Sequence, residues 1–117
     1  MNANGNRVSA HFENLDASVK ETYNAILRSA RELGPVKEDP KKTSIHLVRK
    51  TAFAGIATRK AGLILTLKSA SDIANKRIAR REQTSAHRWH LEIKLNAPSE
   101  VDKEIFAWLK QAYDLAG

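Results

Sequence analysis

The chain has 117 residues and a formal net charge of +7, with 42% apolar and 28% charged residues, which is enough for one hydrophobic core and is the balance of an ordinary globule. It holds no cysteine, which excludes disulfides, thiolate metal sites and cysteine nucleophiles. No apolar run approaches the ~20 residues of a membrane span and the opening Met-Asn-Ala-Asn-Gly-Asn-Arg lacks the apolar stretch of a signal peptide, so the expectation is one cytoplasmic domain over residues 1–117 with a frayed 1–7.

In chain order, Val8 to Leu15 reads as a short helix with Phe12 and Leu15 turned inward. A longer helix follows over 17–33. Asp16 or Ser18 can cap it, and Ser18 with Glu21 has the spacing of a capping box. Val19, Tyr23, Ile26, Leu27, Ala30 and Leu33 recur at helical intervals on one face. Gly34 and Pro35 stop it, because Pro cannot continue a helix and Gly tolerates the left-handed residue that ends one.

Val36 to Asp39 is a candidate short edge strand, broken by Pro40. Three runs rich in Ile, Leu, Val, Phe and Thr then fill Thr43 to Lys68, the pattern of consecutive hairpin strands. In the first, Ile45 and Leu47 share one face while Ser44, His46 and Val48 share the other. In the second, Phe53, Gly55 and Ala57 alternate with Ala54 and Ile56, and such small residues suggest close packing against a helix backbone. In the third, Leu63, Leu65 and Leu67 define a buried face. Ser69 to Thr84 is poor in apolar residues and reads as a loop or a short helix. Alternation returns from Ala86 to Leu95, with Trp89, Leu91, Ile93 and Leu95 inward and Arg88, His90, Glu92 and Lys94 outward. Pro98 and Ser99 announce a last helix over 99–115, with Glu100 and Asp102 where the helix dipole favours acids. Val101, Ile105, Trp108, Leu109 and Ala112 form its apolar stripe.

Together these elements predict an α+β fold of two layers, an antiparallel sheet of about four strands with the N- and C-terminal helices packed on one face. Gly34-Pro35-Val36, the run Lys41 to Leu47, Ala52-Phe53-Ala54-Gly55, Arg59-Lys60 and Ser85 to His90 occur in this order. The combination resembles the bacterial domain-of-unknown-function family numbered 5655, over roughly Val8 to Leu115. That resemblance implies a small α+β domain and carries no activity, cofactor or catalytic residue with it.

Charge is the main functional signal. Residues 35–95 hold fourteen Lys or Arg against five Asp or Glu, whereas residues 1–34 are neutral and 96–117 carry −2. A localised basic surface attracts nucleic acid or another anionic ligand; the same charge also serves solubility. The candidate anion-binding residues are His46, Arg49, Arg59, Lys60, Arg80, Arg81, Arg88 and His90, since Arg grips phosphate bidentately and an outward sheet face can present His46, Thr66, Arg88 and His90 together. Most of the seven aromatics sit in apolar stripes, which leaves few to stack on bases.

Other chemistry finds less support. Glu92-Ile93-Lys94 matches half of a metal-dependent nuclease motif, but no upstream Asp is suitably placed to share a divalent ion. His87 and His90 fall on opposite strand faces, and His46 could meet His90 across the sheet without further ligands. Ser44 and Ser85 neighbour histidines in sequence without a base–acid pair, and no glycine-rich phosphate loop occurs. Neither a cofactor nor a metal is expected. The first expectation is therefore a non-enzymatic module binding an anion through a basic sheet face or rim. The second is a protein-interaction or homodimerising domain, or one working with a fused partner domain away from any membrane. A hydrolase or nuclease acting through His46 and Glu92 comes last.

Overall fold

A computed structural model describes residues 6–117; of the expected frayed segment, residues 1–5 lie outside the described residues. A 3-10 turn at Val8–Phe12 leads into α1 (Ala17–Arg31). Six strands follow: β1 (Lys37–Pro40), β2 (Ile45–Val48), β3 (Ala52–Thr58), β4 (Leu63–Ser69), β5 (Ile78–Ser85) and β6 (Arg88–Leu95). A second 3-10 turn at Pro98–Glu100 precedes α2 (Lys103–Leu115). The strands form one antiparallel sheet in the order β1-β2-β3-β4-β6-β5.

The sheet therefore has six strands rather than about four. The short β1 lies where an edge strand is expected, and the larger correction is β5, inside the segment read as loop or short helix. Only Ile78 of β5 is buried; every residue from Ala79 to Ser85 is exposed. A strand wetted on both faces has no alternation to display, so its identity comes from the tight connection through Ala86 and His87 and from pairing with β6. Both sheet edges resist further pairing. β1 has four residues and ends on a proline, and β5 carries Arg80, Arg81 and Glu82 with two register irregularities, features that discourage edge-to-edge association.

Period-two alternation sorts the two faces. On the helix side Leu63, Leu65 and Leu67 of β4 stand opposite Leu95, Ile93 and Leu91 of β6, all at most 2% exposed. Burying each such side chain contributes roughly 1.5–3 kcal/mol. Ile45 and Leu47 of β2 and Ile56 of β3 extend the layer. Above it lie Val19, Tyr23, Ile26, Leu27 and Ala30 of α1 and Ile105, Trp108, Leu109, Ala112 and Tyr113 of α2, the spacings expected of core-facing helices. Phe12, Leu15, Leu33, Trp89 and Val101 pack at the margin of this single cluster.

The helix ends are built differently from the sequence expectation. The Ser18–Glu21 capping box does not form, and the α1 N-cap Asp16 makes no side-chain cap bond. At α2 the Asp102 carboxylate accepts from the Ile105 amide at 3.1 Å and from Arg77 at 3.0 Å. Those two donors, the amide first, hold its carboxyl below the usual carboxylate range. Glu100 belongs to the preceding 3-10 turn, where its carboxylate accepts from the amides of Asn96 and Ala97. Gly34 has φ of 151°, and a side chain there would collide with the Tyr113 hydroxyl, which donates to the Pro35 carbonyl at 3.1 Å. Only glycine satisfies both demands.

If burial on one face carries the fold, Leu65→Ala should lower unfolding free energy by about 2–5 kcal/mol in urea denaturation. Ile64→Ala, one residue away on the opposite face, should cost roughly 1 kcal/mol or less.

Candidate functional site

Among the described residues no helix covers the face of the sheet away from α1 and α2, and its residues line up across the strands. Asp39, His46, Gly55, Thr66, Glu92 and Arg80 stand opposite one another in succession from β1 to β5. A neighbouring row places Lys68 opposite His90 and His90 opposite Glu82. Directly opposed residues share a face about 5 Å apart, so these rows are contact neighbourhoods.

A hollow of about 290 Å³ opens on this face, lined by Ser44, His46, Ala52, Phe53, Ala54, Gly55, Ala57, Thr66, Lys68 and His90. Its shape follows from β3. Ala52, Gly55 and Ala57 are the smallest side chains of the face, flanked by His46 on β2 and by Thr66 and Lys68 on β4. The expectation that these small residues admit a helix backbone is corrected for Gly55 and Ala57, which face away from the helices. Phe53 contributes to the lining, but its ring is buried on the helix side. Leu47 pairs with Ala54 and Val48 with Ala52, so Phe53 is the extra residue of a bulge. Its ring turns beneath α2 and meets Tyr113 edge-on at 5.3 Å.

The polar groups of the lining are two imidazoles, one ammonium and two hydroxyls; no carboxylate is among them. The Lys68 ammonium is held by the Thr51 hydroxyl at 3.3 Å. Asp39 stands one strand further out, on β1, and Glu92 stands on β6 opposite Thr66. Asp39 is engaged by Lys41 at 2.9 Å, and that hydrogen bond holds its carboxyl below the usual range. Glu92 lies 3.9 Å from Arg80. The hollow is thus a patch with no carboxylate in its lining, flanked by Asp39 and Glu92.

Of the eight predicted site residues, His46 and His90 line the hollow, from β2 and from β6, and the others stand apart from it. Arg49 serves the structure: its guanidinium lies over the Tyr113 ring at 4.4 Å and donates to the Tyr113 carbonyl at 3.1 Å. Beside it the Lys50 and Thr51 amides donate to the Ala116 carbonyl, so the β2–β3 turn caps the end of α2. Arg80 pairs loosely with Glu82 and Glu92. Arg81 binds Asp72 at 2.7 Å and the Ile73 carbonyl at 3.2 Å. Arg59 and Lys60 sit on the exposed β3–β4 turn, where Arg59 donates to its neighbour's carbonyl. Arg88 is exposed at the far end of the hairpin and donates to the His87 carbonyl. Lys68 is the residue that sequence reasoning missed. Its signal was present, because inward Leu63, Leu65 and Leu67 leave Ile64, Thr66 and Lys68 outward.

Among the described residues no group of three or more His, Asp or Glu is placed to hold a metal ion. No described helix is long and apolar enough to cross a membrane. Residues 8–116 match the family model described as Domain of unknown function (DUF5655). The chain belongs to this DUF5655 family. No curated protein and no solved structure matches it.

Arg49→Ala should cost about 0.5–1.5 kcal/mol of unfolding free energy through the lost ring and carbonyl contacts. Arg59→Ala, on an exposed turn, should stay within roughly 0.5 kcal/mol of the parent. Parallel urea titrations make the comparison.

Proposed function

We propose that this DUF5655 domain is a non-enzymatic module that binds an anionic ligand on the uncovered sheet face. The observation that carries this reading is the composition of the hollow: His46, Thr66, Lys68, His90 and Ser44 around a floor of small residues, with no carboxylate in the lining. Such a set offers hydrogen-bond donors and positive charge to a ligand that supplies only acceptors. The surrounding surface contributes a favourable field. Lys42, Lys50, Arg59, Lys60, Arg88 and Lys94 make no ion pair among the described residues, and such unpaired positive charge raises the local concentration of anions around the molecule. Part of the basic excess is already spent inside the fold, on Asp102 and Glu104 by Arg77 and on Asp72 by Arg81. The local, carboxylate-free hollow is therefore a better guide than the total of +7.

The test is a thermal-shift panel of inorganic phosphate, tripolyphosphate and a single-stranded oligonucleotide at low and high ionic strength, since a ligand of the folded state raises its stability by mass action. At least one anion should stabilise the parent at low salt, with the effect fading as salt rises. Lys68→Ala should weaken that binding by about 10-fold, the worth of one charge-assisted hydrogen bond. A parent indifferent to every anion at low salt, or a Lys68→Ala variant that responds like the parent, would contradict the proposal.

A further inference from the structure

We infer that the ligand of this hollow is a phosphate monoester carrying a compact apolar group, and not a stretch of nucleic acid. The inference rests on the anion-binding reading above and narrows it by size, by charge pattern and by the nature of the floor.

Size comes first. A volume of about 290 Å³ lies at the small end of the range for small-molecule sites, and His46 on β2 and Thr66 and Lys68 on β4 flank it as larger side chains. It suits one phosphate with a modest organic body.

Charge pattern points the same way. Along the central row the donors His46 and Thr66 are followed immediately by Asp39 on one side and Glu92 on the other. In the adjoining row His90 is followed by Glu82. Strands are spaced about 4.8 Å apart, so a carboxylate waits one strand beyond the donors in each of these directions. A polyanion laid across the sheet would bring successive phosphates against these acids. A single phosphate seated over Thr66 and Lys68 of β4 needs no contact with Asp39 or Glu82, which lie on the two edge strands.

The floor supplies the organic half. Ala52, Gly55 and Ala57 expose carbon and no charge, a surface that gains from contact with an apolar group. No Phe, Tyr or Trp stands on this face, since Phe53 is 1% exposed and turned under α2; the aromatic platforms on which single strands stack are missing among the described residues.

Gly55 gives a way to fill the hollow without unfolding the protein. It lies within β3 and its φ is not positive. A Cβ added there would meet its nearest neighbour, the His46 ring, at 3.7 Å, an ordinary van der Waals distance. Valine is a good strand former, so Gly55→Val should fold and occupy the space.

The experiment is calorimetric titration of the full chain and of Gly55→Val with phenyl phosphate, inorganic phosphate and a thymidine oligonucleotide. The expected result is phenyl phosphate binding about 10-fold or more tighter than inorganic phosphate, from contact with the apolar floor. Gly55→Val should lose at least 10-fold in phenyl phosphate affinity with an unchanged circular dichroism spectrum. Should that variant melt well below the parent, Gly55→Ala, whose Cβ would meet the His46 ring at 3.7 Å, provides a milder form of the same contrast. An oligonucleotide binding more tightly than phenyl phosphate and equally well to Gly55→Val would overturn the inference while leaving anion binding intact. Equal affinity for phenyl and inorganic phosphate would also overturn it. No binding of any of the three would remove the anion-binding reading itself.

Discussion

The structure depends on a ladder of aliphatic side chains shared by the two central strands. Leu63, Leu65 and Leu67 face Leu95, Ile93 and Leu91, and each lies under α1 or α2 in the common core. Because successive strand residues point to opposite sides, committing this set to the helices commits Ile64, Thr66, Lys68, His90, Glu92 and Lys94 to the other face. A slip of one residue would put leucine into water and charge under the helices. The register is therefore strongly specified, and the polar face is its necessary complement.

Two helices cover one side of the sheet among the described residues, and that economy gives the uncovered side its character. Its relief is made by residue size, with alanine and glycine on β3 between taller neighbours on β2 and β4. The bulge at Phe53 helps, because it sends the one large side chain of that part of β3 beneath α2. The same contact with Tyr113 ties the strand to the C-terminal helix, whose end is held by the β2–β3 turn through Arg49, Lys50 and Thr51. Thr51 in turn hydrogen-bonds the Lys68 ammonium. The hollow thus stands on elements fixed from behind by the core and from one end by α2.

Elements whose sequence carries a period were legible, and those without one were not. Leu63, Leu65 and Leu67, the alternation from Trp89 to Leu95 and the helical stripes from Val19 and Ile105 all report burial on one side, and each lies where the alternation or stripe puts it. β5 was hidden because water on both faces removes any apolar period, and its Arg80-Arg81-Glu82 run reads equally well as a loop. For the site, His46 and His90 were recoverable because alternation places both outward on the same face of one sheet. Arg49 and Arg81 were indistinguishable in sequence from free cations. Their partners, the Tyr113 ring and carbonyl and the Asp72 carboxylate, are set by tertiary contacts that no local pattern encodes. Gly55 and Ala57 show the converse: their smallness suggests room for a helix backbone, yet both face away from the helices, where in the proposed reading they make room for a ligand.

The most direct test of the account is an amide chemical-shift map of the labelled protein titrated with inorganic phosphate at low salt. The account predicts saturable shifts concentrated at His46, Gly55, Thr66, Lys68 and His90. Shifts confined to the exposed turn at Arg59 and Lys60 or to the hairpin end at Arg88, with the hollow silent, would contradict it.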